Sequence, residues 1–168
     1  MSILVLVGPP ASGKSTTGRA VAERLGVPFT DVDAAIEYET GMSISEIFVD
    51  KGEEWFRQLE EEATLALVQQ PGVVSLGGGA VMNARIREAL ADCTVCWLQV
   101  SVTHATRRVG MNVMRPLLLG DVRANLERLH AEREPFYREV ANFSVDTTRL
   151  KPAAVVDRIV NRLEGGQE

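Results

Sequence analysis

Short apolar runs alternate with segments of helical periodicity along almost the whole chain. The apolar runs predict five β-strands, at Ile3–Val7, Pro28–Asp31, Val73–Leu76, Thr94–Val100 and Phe143–Asp146. The amphipathic segments predict six helices, at about Lys14–Leu25, Glu53–Gln69, Asn83–Leu90, Thr103–Val109, Val122–Glu139 and Pro152–Leu163. Because helices separate the strands, we expect a central parallel five-stranded sheet flanked by helices.

Three loops that follow predicted strands carry unusual residues. Gly8–Ser15 follows the first strand, Asp31–Asp33 the second and Gly77–Gly79 the third. In parallel α/β sheets, ligands bind at the carboxyl ends of the strands. These loops therefore predict a binding site on one rim of the sheet. No repeat or linker interrupts the pattern, so residues 1–168 are expected to form a single domain.

The composition is that of an ordinary globular protein. The chain has 168 residues, of which 45% are hydrophobic and 24% charged, and its formal net charge is −5. A negative protein disfavours nucleic acid and anionic membranes as partners. No run approaches the roughly 20 apolar residues of a membrane-spanning helix, and the first apolar run lacks the basic flank of a signal peptide. We therefore expect a cytoplasmic protein that binds neither nucleic acid nor membrane. We also expect it to be a monomer.

The two cysteines, Cys93 and Cys96, have the spacing of a metal-binding or redox pair. A zinc site would need a second pair or a nearby histidine, and the sequence offers neither. Residues three apart on an extended segment also point to opposite faces. We expect both residues to be reduced thiols in the protein core.

The strongest motif is Gly8-Pro-Pro-Ala-Ser-Gly-Lys14-Ser15, which follows a predicted strand and opens a predicted helix. This is the context of a P-loop, whose backbone N–H groups surround nucleotide phosphates at a helix N-terminus. Lys14 would reach the β- and γ-phosphates, and the Ser15 hydroxyl would bind Mg²⁺. A P-loop by itself leaves kinase, GTPase, motor and passive nucleotide sensor open.

Two carboxylates end the second strand. If Asp31 and Asp33 lie on an extended segment, both side chains face the nucleotide rim. One would hold Mg²⁺ or its water, and the other would accept a hydroxyl proton. The alternative for Asp33 is a helix N-cap, because Ala34 and Ala35 follow it.

The glycine run Gly77–Gly79 permits close approach of a ligand to the backbone, although a flexible turn would also explain it. Arg57 lies next to the apolar side of a predicted helix, so it is either a ligand for an anion or a surface ion-pair partner. From this pattern alone, the ion pair is the simpler interpretation of Arg57.

Positive charge is concentrated between Arg107 and Arg138, where there are seven arginines and four carboxylates. This is either a local anion site or a solvated helix face. Within it, Arg115 lies in an apolar loop between two helices, which is either a lid over ATP or a simple connector. Arg133 precedes Pro135 late in a helix and would reach a cleft or solvent.

Taken together, these motifs resemble the shikimate kinase family over nearly the whole chain. The resemblance rests on their order along the chain: Gly8–Ser15, Asp31-Val-Asp33, Phe56-Arg57, Leu76–Val81, Arg115-Pro116-Leu117 and Arg133. It implies phosphorylation of the shikimate 3-hydroxyl by MgATP, in aromatic amino-acid biosynthesis. It also implies a P-loop core like that of nucleoside monophosphate kinases, with a substrate-binding insertion at about 33–61 and a lid at about 112–123.

The resemblance also implies roles for individual residues. The residues implied to act in catalysis are Lys14, Asp33 and Arg115. Those implied to bind the nucleotide are Ala11, Ser12, Gly13, Lys14, Ser15, Thr16, Arg108, Arg115 and Pro152. Those implied to bind shikimate are Asp33, Arg57, Gly77, Gly78, Gly79 and Arg133. Those implied to hold Mg²⁺ are Ser15 and Asp31.

Two features depart from the family pattern. Ala11 stands where the P-loop usually has glycine, and the stretch from Arg115 to Arg133 is slightly short. The alternatives are a gluconate-type kinase of small acids, a nucleoside monophosphate kinase, and a nucleotide-binding regulatory module that has lost catalysis. ADP release with and without shikimate would separate them.

Overall fold

The computed structural model of the protein describes residues 1–110 and 121–165. Five parallel strands form one sheet: β1 (Leu4–Val7), β2 (Phe29–Asp31), β3 (Val73–Ser75), β4 (Val95–Gln99) and β5 (Phe143–Asp146). Their spatial order is β2-β3-β1-β4-β5, so β1 lies at the centre. All five predicted strands are confirmed, with ends that shift by at most one residue.

Eight α-helices surround the sheet in the described part of the chain. They are α1 (Lys14–Leu25), α2 (Val32–Thr40), α3 (Ile44–Asp50), α4 (Glu53–Leu67), α5 (Ala84–Leu90), α6 (Val102–Gly110), α7 (Val122–Val140) and α8 (Pro152–Leu163). A single 3₁₀ turn, Ala80–Met82, follows the glycine run. No helix in the described ranges has both the length and the apolar character needed to cross a bilayer.

The six predicted helices are confirmed, and α2, α3 and the 3₁₀ turn were not predicted. Helix α3 has only seven residues and so gives a weak periodic signal, although α5, which is equally short, was predicted. The start of α3 is set instead by Ser43, whose side chain accepts a hydrogen bond from the Glu46 N–H. Helices α2 and α3 lie in the segment at about 33–61 that was predicted to be the substrate-binding insertion.

The sheet separates two apolar cores. Alternate residues of each central strand enter opposite cores, as Val5 and Leu6 do on β1. One core lies under α2 to α5 and α7, and the other under α1 and α8. Cys93 lies in the first and Cys96 in the second, so the prediction of two separate core thiols is confirmed. Burial raises the pKa of Cys96 to about 12.

A third, smaller apolar cluster joins α6 and α7 beside the sheet. Its buried members are Val100, Ala105, Leu126 and Leu129, and Ala11 of the Gly8–Ser15 loop packs against it. This loop therefore contacts the helix pair as well as the sheet.

Candidate active site

The Gly8–Ser15 loop connects the central strand β1 to α1, as predicted. Gly8 has φ 154°, and a β-carbon placed on it would lie 2.4 Å from the Leu98 carbonyl oxygen. Only glycine fits this position, because the obstacle is backbone of the neighbouring strand β4. The loop is thereby fixed against the sheet at its start.

Lys14 begins α1 and folds back over the loop. Its Nζ atom donates hydrogen bonds to the carbonyl oxygens of Gly8, at 2.8 Å, and Pro9, at 3.0 Å. The ammonium group is therefore held above the backbone of the loop at a helix N-terminus. This is a suitable arrangement for binding an anion.

Ala11 has a left-handed backbone conformation, with φ 65°. Glycine adopts this conformation without cost, whereas alanine loses roughly 1 kcal/mol there. The Ala11 carbonyl accepts a 2.6 Å hydrogen bond from Arg108 Nη1 of α6. The departure from the family pattern is therefore accommodated by contacts from α6 and α7.

A cavity of about 390 Å³ adjoins this loop. Six of the residues predicted to bind nucleotide line it: Ala11, Ser12, Gly13, Thr16, Arg108 and Pro152. Sequence reasoning missed its other lining residues, which are Thr17, Thr147, Leu150 and Val155. Leu150 and Val155 make part of its wall apolar, which suits the face of a planar ring.

Asp31 and Asp33 both lie at the rim, but the prediction that they share an extended segment is wrong. Helix α2 begins at Val32, and Asp33 lies in its first turn. Asp31, not Asp33, is the N-cap: its Oδ1 atom accepts a 3.1 Å hydrogen bond from the Ala34 N–H. Its other oxygen, Oδ2, accepts a hydrogen bond from the Ser15 hydroxyl. The two predicted metal ligands are thus in contact.

The glycine run lies between carboxylates and guanidinium groups. A β-carbon on Gly77 would lie 2.8 Å from Glu60 Oε2 and 3.1 Å from Asp33 Oδ1. One on Gly79 would lie 2.7 Å from Arg57 Nη2 and 3.0 Å from Arg133 Nη2. Carboxylates therefore lie at the Gly77 end of this short stretch of backbone, and guanidinium groups lie at its Gly79 end.

Gly78 connects this stretch to the phosphate loop. A β-carbon on Gly78 would lie 3.2 Å from Arg133 Nη1 and 3.3 Å from Pro10 Cδ. Side chains larger than hydrogen would thus separate the loop from the arginines. Because the glycine run carries no side chains, the Gly8–Ser15 loop and the two arginines lie close together.

Glu60 is a site residue that the sequence reasoning missed. It is 2% exposed, and its Oε1 atom accepts a 2.7 Å hydrogen bond from Arg57 Nη1. Burial raises the pKa of Glu60, an effect that the neighbouring Arg57 partly offsets. Arg57 also reaches Glu53 at 3.5 Å, so it pairs with one exposed and one buried carboxylate in the structure, and its role as an anion ligand stays a prediction. The three-residue spacing of Arg57 and Glu60 on α4 was the available signal.

Arg133 points into the site rather than into solvent. Only 6% of its surface is exposed, and burial lowers the pKa of its guanidinium. Among the described residues, Arg57 and Arg133 thus place two cations beside Gly79. A cation pair at one place suits a carboxylate or phosphate ligand.

Comparisons with known proteins agree with this geometry. A family model described as shikimate kinase matches residues 10–164. The chain belongs to the shikimate kinase family. A shikimate kinase from Mycobacterium avium (strain 104) is 55% identical over 161 residues, which cover 95% of this chain and 92% of that protein. One from Thermobifida fusca (strain YX) is 47% identical over 162 residues, 96% of this chain and 94% of that protein.

A solved shikimate kinase has closely the same fold. The structure of the enzyme from Acinetobacter baumannii in complex with shikimate aligns with a TM-score of 0.92 and 34% sequence identity, over 96% of this chain and 92% of that one. The predicted fold class is therefore confirmed. Membership of the shikimate kinase family also decides against the gluconate kinase and nucleoside monophosphate kinase families.

The predicted lid of this shikimate kinase family member is not fully described. Residues 112–120, which include Arg115, lie outside the described residues. The remaining part, residues 121–123, is the start of α7, where the Asp121 side chain accepts a hydrogen bond from the Ala124 N–H. The role of Arg115 stays a prediction.

Proposed function

We propose that this protein transfers the γ-phosphoryl group of ATP to the 3-hydroxyl of shikimate. The products are shikimate 3-phosphate and ADP, and the reaction belongs to aromatic amino-acid biosynthesis. Membership of the shikimate kinase family and the alignment with a shikimate complex support this activity.

The arrangement around the glycine run carries the proposal. Shikimate has hydroxyl groups and a carboxylate at opposite parts of one ring. Asp33 lies near Gly77, while Arg57 and Arg133 lie near Gly79. A carboxylate can accept hydrogen bonds from hydroxyls, and guanidinium groups can bind a carboxylate. The two ends of the site thus match the two ends of the acceptor.

The donor nucleotide occupies the Gly8–Ser15 loop and the adjoining cavity. Lys14 leaves its contacts with the Gly8 and Pro9 carbonyls to bind the β- and γ-phosphates, which stabilises the charge of the transferring group. The 390 Å³ cavity, whose lining includes Arg108 and Pro152, receives the adenosine. Ala11, Ser12, Gly13 and Thr16 surround the phosphates.

Ser15 and Asp31 fit a magnesium ion. Their contacting atoms are a hydroxyl and a carboxylate oxygen, the hard donors that Mg²⁺ prefers. Residues 1–110 and 121–165 contain no cluster of three metal-binding side chains. Mg²⁺ in such kinases is usually held by one or two protein oxygens, with phosphate and water completing its shell, and it neutralises phosphate charge.

On the acceptor side, Arg57 and Arg133 bind the shikimate carboxylate, and the backbone of Gly77–Gly79 binds a hydroxyl. Asp33 orients the reacting 3-hydroxyl and accepts its proton as the oxygen bonds to the γ-phosphorus. The bond from that phosphorus to the ADP oxygen breaks in the same step. Because the transition state is loose, positioning by Asp33 contributes more than early proton removal.

The predicted substrate-binding insertion and the predicted lid complete the proposal. The segment 33–61, which contains α2, α3 and the start of α4, brings Asp33 and Arg57 to the acceptor. Arg115, in the predicted lid, would meet the phosphates. A monomeric state and a cytoplasmic location stay predictions from the sequence.

The decisive experiment measures ADP release by the purified protein with MgATP. We expect rapid turnover with shikimate and far slower release with gluconate or AMP. Equal rates with gluconate would refute the substrate assignment. If no acceptor stimulates ADP release although ATP binds normally, the protein would be the nucleotide-binding regulatory module instead.

A further inference from the structure

Tyr137 lies beneath the glycine run and has no role in the site so far. It is completely buried on α7, and its hydroxyl donates a 2.6 Å hydrogen bond to the Gly78 carbonyl oxygen. The two residues are 59 positions apart in the chain, so the bond is a tertiary contact. A short bond between buried groups is among the stronger neutral hydrogen bonds.

This bond acts on a flexible part of the backbone. The Gly78 carbonyl belongs to the peptide between Gly78 and Gly79, which is planar, so its N–H lies on the edge opposite the carbonyl. Glycines on both sides permit that peptide to rotate more freely than any other pair of residues would. By holding the carbonyl, the Tyr137 hydroxyl also directs the Gly79 N–H.

The same hydroxyl lies against a proposed substrate ligand. Arg133 precedes Tyr137 by four residues on α7, so their side chains share one helix face. Burial lowers the pKa of Arg133 and raises that of Tyr137, and each side chain opposes the effect of burial on the pKa of the other. Tyr137 therefore contacts both the backbone and a cation of the acceptor site.

The ring itself has little freedom to move. It stacks on Trp97 of β4, with ring centroids 5.8 Å apart and an angle of 29° between the planes. Burial raises the pKa of Tyr137 to about 12, so the phenol keeps its proton near neutral pH. The hydroxyl is a fixed donor supported by the central part of the sheet.

We propose that Tyr137 is a positioning residue for the phosphoryl acceptor. Its hydroxyl holds the Gly78–Gly79 peptide and the Arg133 guanidinium in one arrangement, so that backbone and cation meet the acceptor together. The identity of that acceptor as shikimate rests on the proposed function, whereas the control of the backbone does not.

Tyr137→Phe tests this proposal, because it removes the hydroxyl and keeps the ring stacked on Trp97. The chain has one other tyrosine, Tyr38, which is 93% exposed, so Tyr38→Phe is the matched control. Without the hydroxyl, the peptide populates other orientations in the free protein, and binding must select the competent one. If about a tenth of the molecules remain competent, the Kd for shikimate rises roughly tenfold, as expected for loss of a buried hydrogen bond.

Calorimetry should therefore show a roughly tenfold higher Kd for shikimate in Tyr137→Phe and an unchanged Kd for ATP. Tyr38→Phe should match the wild-type protein in both. A Tyr137→Phe protein that melts at a lower temperature but binds shikimate normally would overturn the proposal, since its role would be structural only. Equal weakening of ATP and shikimate binding would overturn it as well.

Hydrogen exchange separates this proposal from the substrate assignment. In the free protein, well below its melting temperature, amide exchange at residues 77–79 should be faster in Tyr137→Phe than in the wild type and in Tyr38→Phe. Unchanged exchange would refute control of the backbone, whatever the substrate is. If the wild-type protein fails to bind shikimate while exchange increases as expected, the substrate assignment is wrong and the positioning role stands.

Discussion

A single methyl group placed on Gly79 should disable the acceptor site without damaging the fold. Gly79 has φ −96° and ψ −1°, a conformation that is allowed for alanine, so Gly79→Ala requires no change of backbone conformation. The new methyl would lie 2.7 Å from Arg57 Nη2, 2.8 Å from Arg57 Nη1 and 3.0 Å from Arg133 Nη2. Contacts under 3.0 Å essentially never occur for a real β-carbon, so the guanidinium groups must move.

The size of the effect follows from these distances. Arg57 must withdraw by about 0.7 Å, from 2.7 Å to the 3.4 Å at which ordinary contact begins. Its Nη1 atom donates a 2.7 Å hydrogen bond to Glu60 Oε1, so withdrawal of Arg57 disturbs the ion pair with Glu60 as well. A misplacement on the order of 1 Å can cost about a hundredfold in rate. We therefore expect kcat/KM for shikimate to fall by roughly 10- to 100-fold, or about 1.4–2.7 kcal/mol.

The assay is coupled ADP release with varied shikimate at saturating ATP, and then with the substrates exchanged. KM for ATP should be nearly unchanged, because Gly79 faces the two arginines. Gly26→Ala is the opposite control: Gly26 ends α1 at φ 68° with no atom within 4 Å of the new methyl. It should lose roughly 1 kcal/mol of stability and keep normal kinetics. If Gly79→Ala retained its shikimate KM and kcat within twofold, the arginines would not form the proposed clamp.

Three further predictions concern the phosphate loop and the buried carboxylate. Lys14→Met should lower kcat at least about a hundredfold with an unchanged melting temperature, and a variant that kept a tenth of the activity would contradict the role of Lys14. Ala11→Gly should change the free energy of unfolding by less than about 0.5 kcal/mol, because relief of backbone strain at φ 65° offsets the greater freedom of the unfolded chain. Ala11→Val should destabilise the protein more in denaturant titrations, because a β-branched side chain is more restricted there. Equal stability of the two variants would contradict the strain at Ala11. The pKa of Glu60 in the folded protein lies above its usual value near 4.5, so its contribution to stability is complete below that pH and is lost as pH rises through the folded pKa. The stability of the wild-type protein relative to Glu60→Gln should accordingly fall between pH 4.5 and neutral pH in urea titrations, and a rise would show that the Arg57 pair outweighs burial.

The fold was predictable because its signals are local. An apolar run or an amphipathic period depends only on residues that are close in the chain. These patterns are sufficient to predict β1 to β5 and the longer helices. The Gly8–Ser15 loop is local as well, since its eight residues run from the end of β1 to the first two residues of α1. Short helices give a weaker signal, because seven residues hold barely two turns: of the two seven-residue helices, α5 was predicted and α3 was not.

Asp31 and Asp33 show where local reasoning reached its limit. Their sequence fits an extended strand end as well as a helix start, and we predicted the extended segment. The structure instead begins α2 at Val32, with Asp31 as its cap and Ser15 as a second partner. The contact with Ser15 depends on how the segments after β1 and β2 meet at the rim, although β3 lies between these two strands in the sheet.

By itself, the sequence determined the alternation of strands and helices, the phosphate loop and the glycine run, because each depends on neighbouring residues. Only the tertiary structure decided which charges are buried and which groups meet. Glu60 and Tyr137 look like ordinary helical residues, and they become part of the site because α4 and α7 bring them against Gly77–Gly79. Burial and long-range contact arise from packing, and the residues that make them are 17 to 59 positions apart in the chain.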